Sequence, residues 1–270
     1  MFYAELKRGF EKTSFKISIL IGLLFVLVHV RELFLLDSFY VQEGLSWVEK
    51  YLGSINISSF DKFMLTYINM PGNMFIVLLP LICSISYSDS YVEDSVSGMS
   101  NFIYTREKKE IYAIYKYIVN FIVSGIVITI PLIVDILICA IIFPSFIKGD
   151  YILGAYNIPK EGVFSEIYYS NPIIYIILSI FLCFIYAGAY SSIALSAGLF
   201  IKKRFIVIIV PFLVSMFIVL ITNVLEKTTY NHTDILFNFR SPLSVIIIHF
   251  LIIFIPTFLI FYFGVKKHEL

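Results

Sequence analysis

Tyr117-Ile-Val-Asn-Phe-Ile-Val-Ser-Gly-Ile-Val-Ile-Thr-Ile-Pro-Leu-Ile-Val-Asp-Ile-Leu-Ile-Cys-Ala-Ile-Ile-Phe143 carries a single charged side chain, Asp135. A bilayer's hydrocarbon core needs about 20 apolar residues of helix to cross it. This stretch exceeds that, and it has no polar face to turn toward water, so it reads as a membrane span. The rest of the chain repeats the pattern. Of its 270 residues, 59% are hydrophobic and 14% are charged. A soluble domain carries about 25% charged residues, so lipid is the solvent that this composition fits. Six segments are long enough to span: 17–36, 68–87, 117–143, 172–199, 205–225 and 243–265. The predicted fold is therefore an all-α integral membrane protein, one transmembrane domain over residues 1–270. Pro80, Pro131, Pro211 and Pro256 fall inside spans. Neighbouring groups in a bundle can re-satisfy the carbonyls they free, and kinks are expected there.

The connecting segments set the orientation. Lys7, Arg8, Lys12, Lys16, Arg106, Lys108, Lys109, Lys116, Lys202, Lys203, Arg204, Lys266 and Lys267 fall on one side. Arg31, Lys50, Lys62, Lys148, Lys160, Lys227 and Arg240 fall on the other. The excess of basic residues marks the cytoplasmic side, which places both termini and the 88–116 segment inside. Heavy use of Ile, Phe, Tyr, Asn and Lys suggests an AT-rich bacterial genome, and hence a bacterial cytoplasmic membrane. The first apolar run is too long for a signal peptide and lacks a small-residue cleavage site.

Phe2, Leu6 and Phe10 recur every four residues with charges between them. Residues 1–16 thus read as an amphipathic helix on the inner membrane interface, with a frayed tail as the other reading. On the outer side, Val41, Leu45, Val48 and Leu52 form a helical stripe beside Trp47 and Tyr51. A helix lying on the outer surface and an ordinary packed loop helix both fit it. A net charge of +1 gives no case for nucleic acid.

Motifs for internal chemistry are missing. There is no Gly-x-x-x-x-Gly-Lys-Ser/Thr to cradle ATP phosphates and no His-Glu-x-x-His for zinc hydrolysis. Gly-x-Ser-x-Gly is absent too. Cys83, Cys139 and Cys183 lie in apolar runs without metal-site spacing, so no bound metal or cofactor is expected. Ionisable residues within spans are functional candidates by default. Asp135 is the clearest; it either lines a pathway or makes a helix–helix hydrogen bond. His29, Arg31 and Glu32 near the outer end of the first span, and His249 in the last, divide the same way between substrate contact and anchoring. Gly188, Ser192, Ala194 and Gly198 form small-residue steps of four in the fourth span. Such steps let backbones approach closely, within the chain or between subunits.

One cytoplasmic segment is conspicuously polar: Ser88-Asp-Ser-Tyr-Val-Glu-Asp-Ser-Val-Ser-Gly-Met-Ser-Asn-Phe-Ile-Tyr-Thr-Arg-Glu-Lys-Lys-Glu-Ile-Tyr-Ala-Ile-Tyr-Lys116. Its acidic start is Glu93, Asp94 and Ser95. Gly98 follows, then Met99, Asn101 and Phe102, then the Thr105–Arg106 turn, and Lys116 opens the third span. In that order it resembles the ABC-2 type permeases, membrane subunits of ATP-driven exporters. The proline usual before the basic residue is absent; Thr105 precedes Arg106 directly. The resemblance extends in outline over the whole chain, through its six spans, internal termini and N-terminal interfacial helix. It implies a coupling helix near 94–102 that docks on a separate ATPase, present in two copies and carrying the ATP and Mg. It also implies a second permease chain, identical or related, and a hydrophobic or amphipathic cargo such as a peptide, antibiotic or lipid-like molecule. Two other classes compete: an ion-coupled carrier that uses Asp135, and a non-transporting anchor that holds a partner through the same loop.

Overall fold

The computed structural model describes residues 1–42, 59–66, 69–143, 163–237 and 241–267. Eleven α-helices are described: α1 Phe2–Glu11, α2 Thr13–Gln42, α3 Met70–Tyr87, α4 Ser90–Val96, α5 Met99–Tyr104, α6 Lys109–Ile142, α7 Ser165–Ser170, α8 Pro172–Ala197, α9 Arg204–Val224, α10 His232–Leu236 and α11 Leu243–Lys267. A single 3-10 turn, Thr228–Tyr230, precedes α10, and no strand occurs among the described residues. Six of the helices, α2, α3, α6, α8, α9 and α11, are long and apolar enough to cross a membrane. The predicted outer-surface helix around Leu45–Leu52 lies outside the described residues.

Local sequence explains the boundaries. Lys12 is extended (φ −62°, ψ 134°) and separates α1 from α2. The side chain of Asn69 accepts from the Gly72 amide at 2.6 Å, and Pro71 occupies the first turn, so α3 starts there. The third span starts earlier than its sequence suggests: α6 begins at Lys109, not Tyr117, which puts Lys116 inside the helix. A lysine would normally mark the edge of a span. Here its ammonium is neutralised inside the protein, so the helix runs past it.

α6 and α8 form the axis of the bundle and pack on each other most extensively. The fit is reciprocal. A Cβ on Gly125 of α6 would lie 2.5 Å from the Phe184 ring of α8, and a Cβ on Gly188 of α8 would lie 2.6 Å from the Phe121 ring of α6. α2 approaches α6 as closely, with Gly22 against Pro131. α3 and α11 complete the core, while α9 is peripheral and mostly exposed. At the end of the bundle away from the termini, residues 59–66 fold back over the helices and bury Phe60, Phe63, Met64 and Leu65. Nearby, α10 dips into the bundle and buries His232, Ile235 and Leu236 against α3 and α8.

Candidate functional site

The 88–116 region is not an open loop. After α3, the chain forms two short helices, α4 and α5, before α6 starts. They are separated by Gly98 at φ 73°, the left-handed conformation that glycine adopts without a Cβ penalty. A side chain at Gly98 would meet nothing within 4 Å, so backbone conformation alone favours glycine there. Part of the inner face of α4 is apolar. Val92 packs with Ala194 and Val207, and the Tyr91 ring meets Phe261 edge-on at 5.3 Å.

Beneath these helices lies a network of paired charges. Four acids, Glu5, Asp89, Glu93 and Asp94, face four bases, Arg8, Lys12, Lys116 and Arg204. Asp94, 0% exposed, accepts from Arg8 at 2.5 Å, Lys116 at 2.6 Å and the Tyr112 hydroxyl at 2.7 Å. Lys116 also reaches Glu5 at 2.9 Å, and the Tyr87 hydroxyl donates to the same Glu5 carboxylate. Asp89 is held by Lys12 at 2.5 Å and by Arg204, whose Nη2 lies 2.5 Å away and whose Nε lies 2.8 Å away. Burial works against the Arg8 charge, but the neighbouring Asp94 outweighs it and holds the guanidinium above its ordinary pKa. An isolated charge in such a place would be costly; four of each sign with hydrogen-bonding tyrosines can be accommodated.

This corrects the reading of Asp94 as an acid free to meet a partner. It is consumed inside the chain, because Lys116 and Arg8 need it. Glu93 remains half-exposed between Arg8, Lys12 and Arg204. The outer surface is different. Val96, Met99 and Phe102 are 66%, 45% and 75% exposed and form an apolar tip around Gly98. Asn101 and Arg106 are exposed beside it, while Ser95 is half-buried. α1 likewise keeps Phe2, Leu6 and Phe10 against neighbouring rings or core, but its charged side chains Glu5 and Arg8, with Lys12 just past its end, point inward. Sequence reasoning passed over Glu5, Tyr87, Asp89 and Tyr112. The spacing of Glu5, Arg8 and Lys12 on one helical face was the signal that could have found the cluster.

A second cluster sits at the far end. His29 of α2 pairs its Nδ1 with Asp135 Oδ1 of α6 at 2.7 Å, and the Met64 amide donates to Asp135 Oδ2 at 2.8 Å. All three polar groups are buried. Arg31 is exposed and Glu32 half-exposed on α2, and the described residues include no ion pair between them. His249 stacks on the Tyr186 ring at 5.6 Å. Gly188, Ser192, Ala194 and Gly198 serve packing within the chain. Gly188 underlies Phe121, the Ser192 hydroxyl donates to the Gly188 carbonyl at 2.8 Å, Ala194 meets Val92, and a Cβ on Gly198 would come within 2.9 Å of Val92.

Comparison with protein-family models, curated proteins and solved structures yields no match.

Proposed function

We propose that this chain is the permease subunit of an ATP-driven exporter in a bacterial cytoplasmic membrane, energised by a separate ATPase that docks on α4 and α5. The observation that carries the reading is the two-sided character of this region. Its tip presents Val96, Met99 and Phe102 to solvent, while its base is clamped by a fully buried charge pair to α6 and by partly solvated ones to α1 and α9. An exposed apolar tip is suited to a partner's pocket. A base held by desolvated ion pairs cannot slide cheaply against the helices. Motion imposed on the tip therefore passes to the bundle as rigid-body displacement. The basic-residue bias puts this end of the bundle in the cytoplasm, where ATP is available. Two ATPase copies and a second permease chain complete the assembly, and the cargo is hydrophobic or amphipathic. Asp135, on which the carrier alternative depends, is paired with His29 and the Met64 amide in this conformation.

The test is co-expression with a candidate ABC-class ATPase. Met99→Glu together with Phe102→Glu should reduce ATPase co-purification at least about tenfold while leaving the permease monodisperse, because Phe102 is mostly exposed and a carboxylate at Met99 would still face Arg8. Undiminished capture would overturn the docking assignment. Capture that never alters ATP hydrolysis in liposomes would instead identify an anchor.

A further inference from the structure

We propose that His29, Asp135 and Cys139 form a binding site for a divalent transition-metal ion of the zinc class, joining α2 to α6 beneath residues 59–66. The inference is independent of the exporter reading. α6 places Asp135 and Cys139 four residues apart on one helical face, and α2 delivers His29 against them. The nitrogen, oxygen and sulfur donor atoms of the three residues all lie within 4.8 Å of one another, and all three side chains are fully buried. This donor set is specific. A thiolate with an imidazole suits zinc or its neighbours, while magnesium and calcium take oxygen ligands only.

The geometry is close to that of a loaded site. Zinc–ligand bonds of about 2.0–2.3 Å in a tetrahedron put donor atoms about 3.3–3.6 Å apart. His29 Nδ1 and Asp135 Oδ1, now at 2.7 Å, would part by roughly half an ångström, and the Cys139 sulfur would close by about an ångström at most. One supporting contact is already made. The Met64 amide fixes Asp135 Oδ2 and leaves Oδ1 for the metal, whereas the Cys139 thiol, which donates to the Lys62 carbonyl at 3.5 Å, gives up that contact on binding. On binding, the Cys139 thiol loses its proton to solvent as the sulfur–metal bond forms. The His29 proton moves from Nδ1 to Nε2 as Nδ1 takes the metal. One proton is released per ion, so affinity rises with pH. Three protein donors leave a fourth position for water. A positive side chain stands near: Lys62, whose carbonyl meets Cys139 Sγ, has its ammonium 5.6 Å from the centre of the Phe143 ring. Its charge weakens the site relative to one built from anions alone.

The full chain is expressed with zinc in the medium, so that the ion is present before residues 59–66 close over the site. It is then purified in chelator-free detergent and its metal content measured. About one zinc per chain is expected, falling at least about tenfold in Cys139→Ser and His29→Ala. Cobalt-grown protein should show a thiolate-to-cobalt charge-transfer absorption that Cys139→Ser abolishes. Zinc in the wild type no higher than in Cys139→Ser, or cobalt-grown wild type without the charge-transfer band, would overturn the site. Because the band is read on the wild-type chain, the proposal can fail even if a variant does not fold.

Discussion

Asp94 shows how one carboxylate can be read correctly in type and wrongly in place. As a sequence feature it is an acid in a polar stretch. In the fold it is the point where Arg8, Lys116 and Tyr112 converge. Asp94→Asn leaves two cations facing a neutral group, and removing one partner of a buried ion pair costs about 3–5 kcal/mol. Unfolding of the purified protein should show a loss of that size, whereas Glu93→Gln, partly solvated, should cost under about 1 kcal/mol. Replacing Asp94 by Leu together with Lys116 by Met should recover much of the loss, because the uncompensated charge goes with its partner. Equal losses for Asp94→Asn and Glu93→Gln would show that the network is solvated. The burial was not legible in the sequence, since Lys116 and Arg8 lie 22 and 86 residues away and no local spacing links the three.

The α6–α8 pair carries the corresponding lesson for elements. Small residues at steps of four marked α8 for close contact, and both pairs are used, Gly188 against Phe121 and Ala194 against Val92. The sequence could not name the partner, because Phe121 sits among apolar residues that read the same whether they face lipid or a glycine. With a Cβ at Gly188 falling 2.6 Å from Phe121, Gly188→Ala must push the ring aside. Overpacking of this kind costs about 1–3 kcal/mol. Gly98→Ala meets open space and should cost only about 1 kcal/mol for its left-handed backbone. A larger drop in thermal stability for Gly188→Ala than for Gly98→Ala is the expected order, and the reverse would contradict the packing. Length alone made the six long helices legible, because bilayer thickness dictates it. The early start of α6 was not, since it depends on a lysine neutralised by residues of α1 and α4.

For the molecule as a whole, acid should be destabilising, and part of that response belongs to α10. His232 is held neutral by burial first and by neighbouring His249 second, which pushes its pKa down from 6.5 to about 4. Its ring lies toward the Ile76 carbonyl, the one that Pro80 deprives of a helical amide. The unfolded chain binds a proton below 6.5 and the folded chain only near 4. The contribution of His232 is thus intact above pH 6.5 and is lost as pH falls toward 4, by on the order of 3 kcal/mol. The unfolding midpoint measured against pH should decline over that window, and His232→Gln should flatten the decline. Such far-end contacts, like the meeting of His29 with Asp135, join residues from loops and helices distant in the chain, which periodicity cannot pair. The charge network beneath α4 has a further consequence for how the protein is made. By the time α6 has left the ribosome, the nascent chain holds all four acids of the network but only Arg8, Lys12 and Lys116 among its bases. The partial bundle therefore waits with one excess negative charge, centred on Asp89. Arg204, 115 residues after Asp89, arrives with the first turn of α9 and cancels it. Order of synthesis thus gives the peripheral fifth long helix an electrostatic berth at its first turn, beside the apolar seat that Val92 and Ala194 offer Val207.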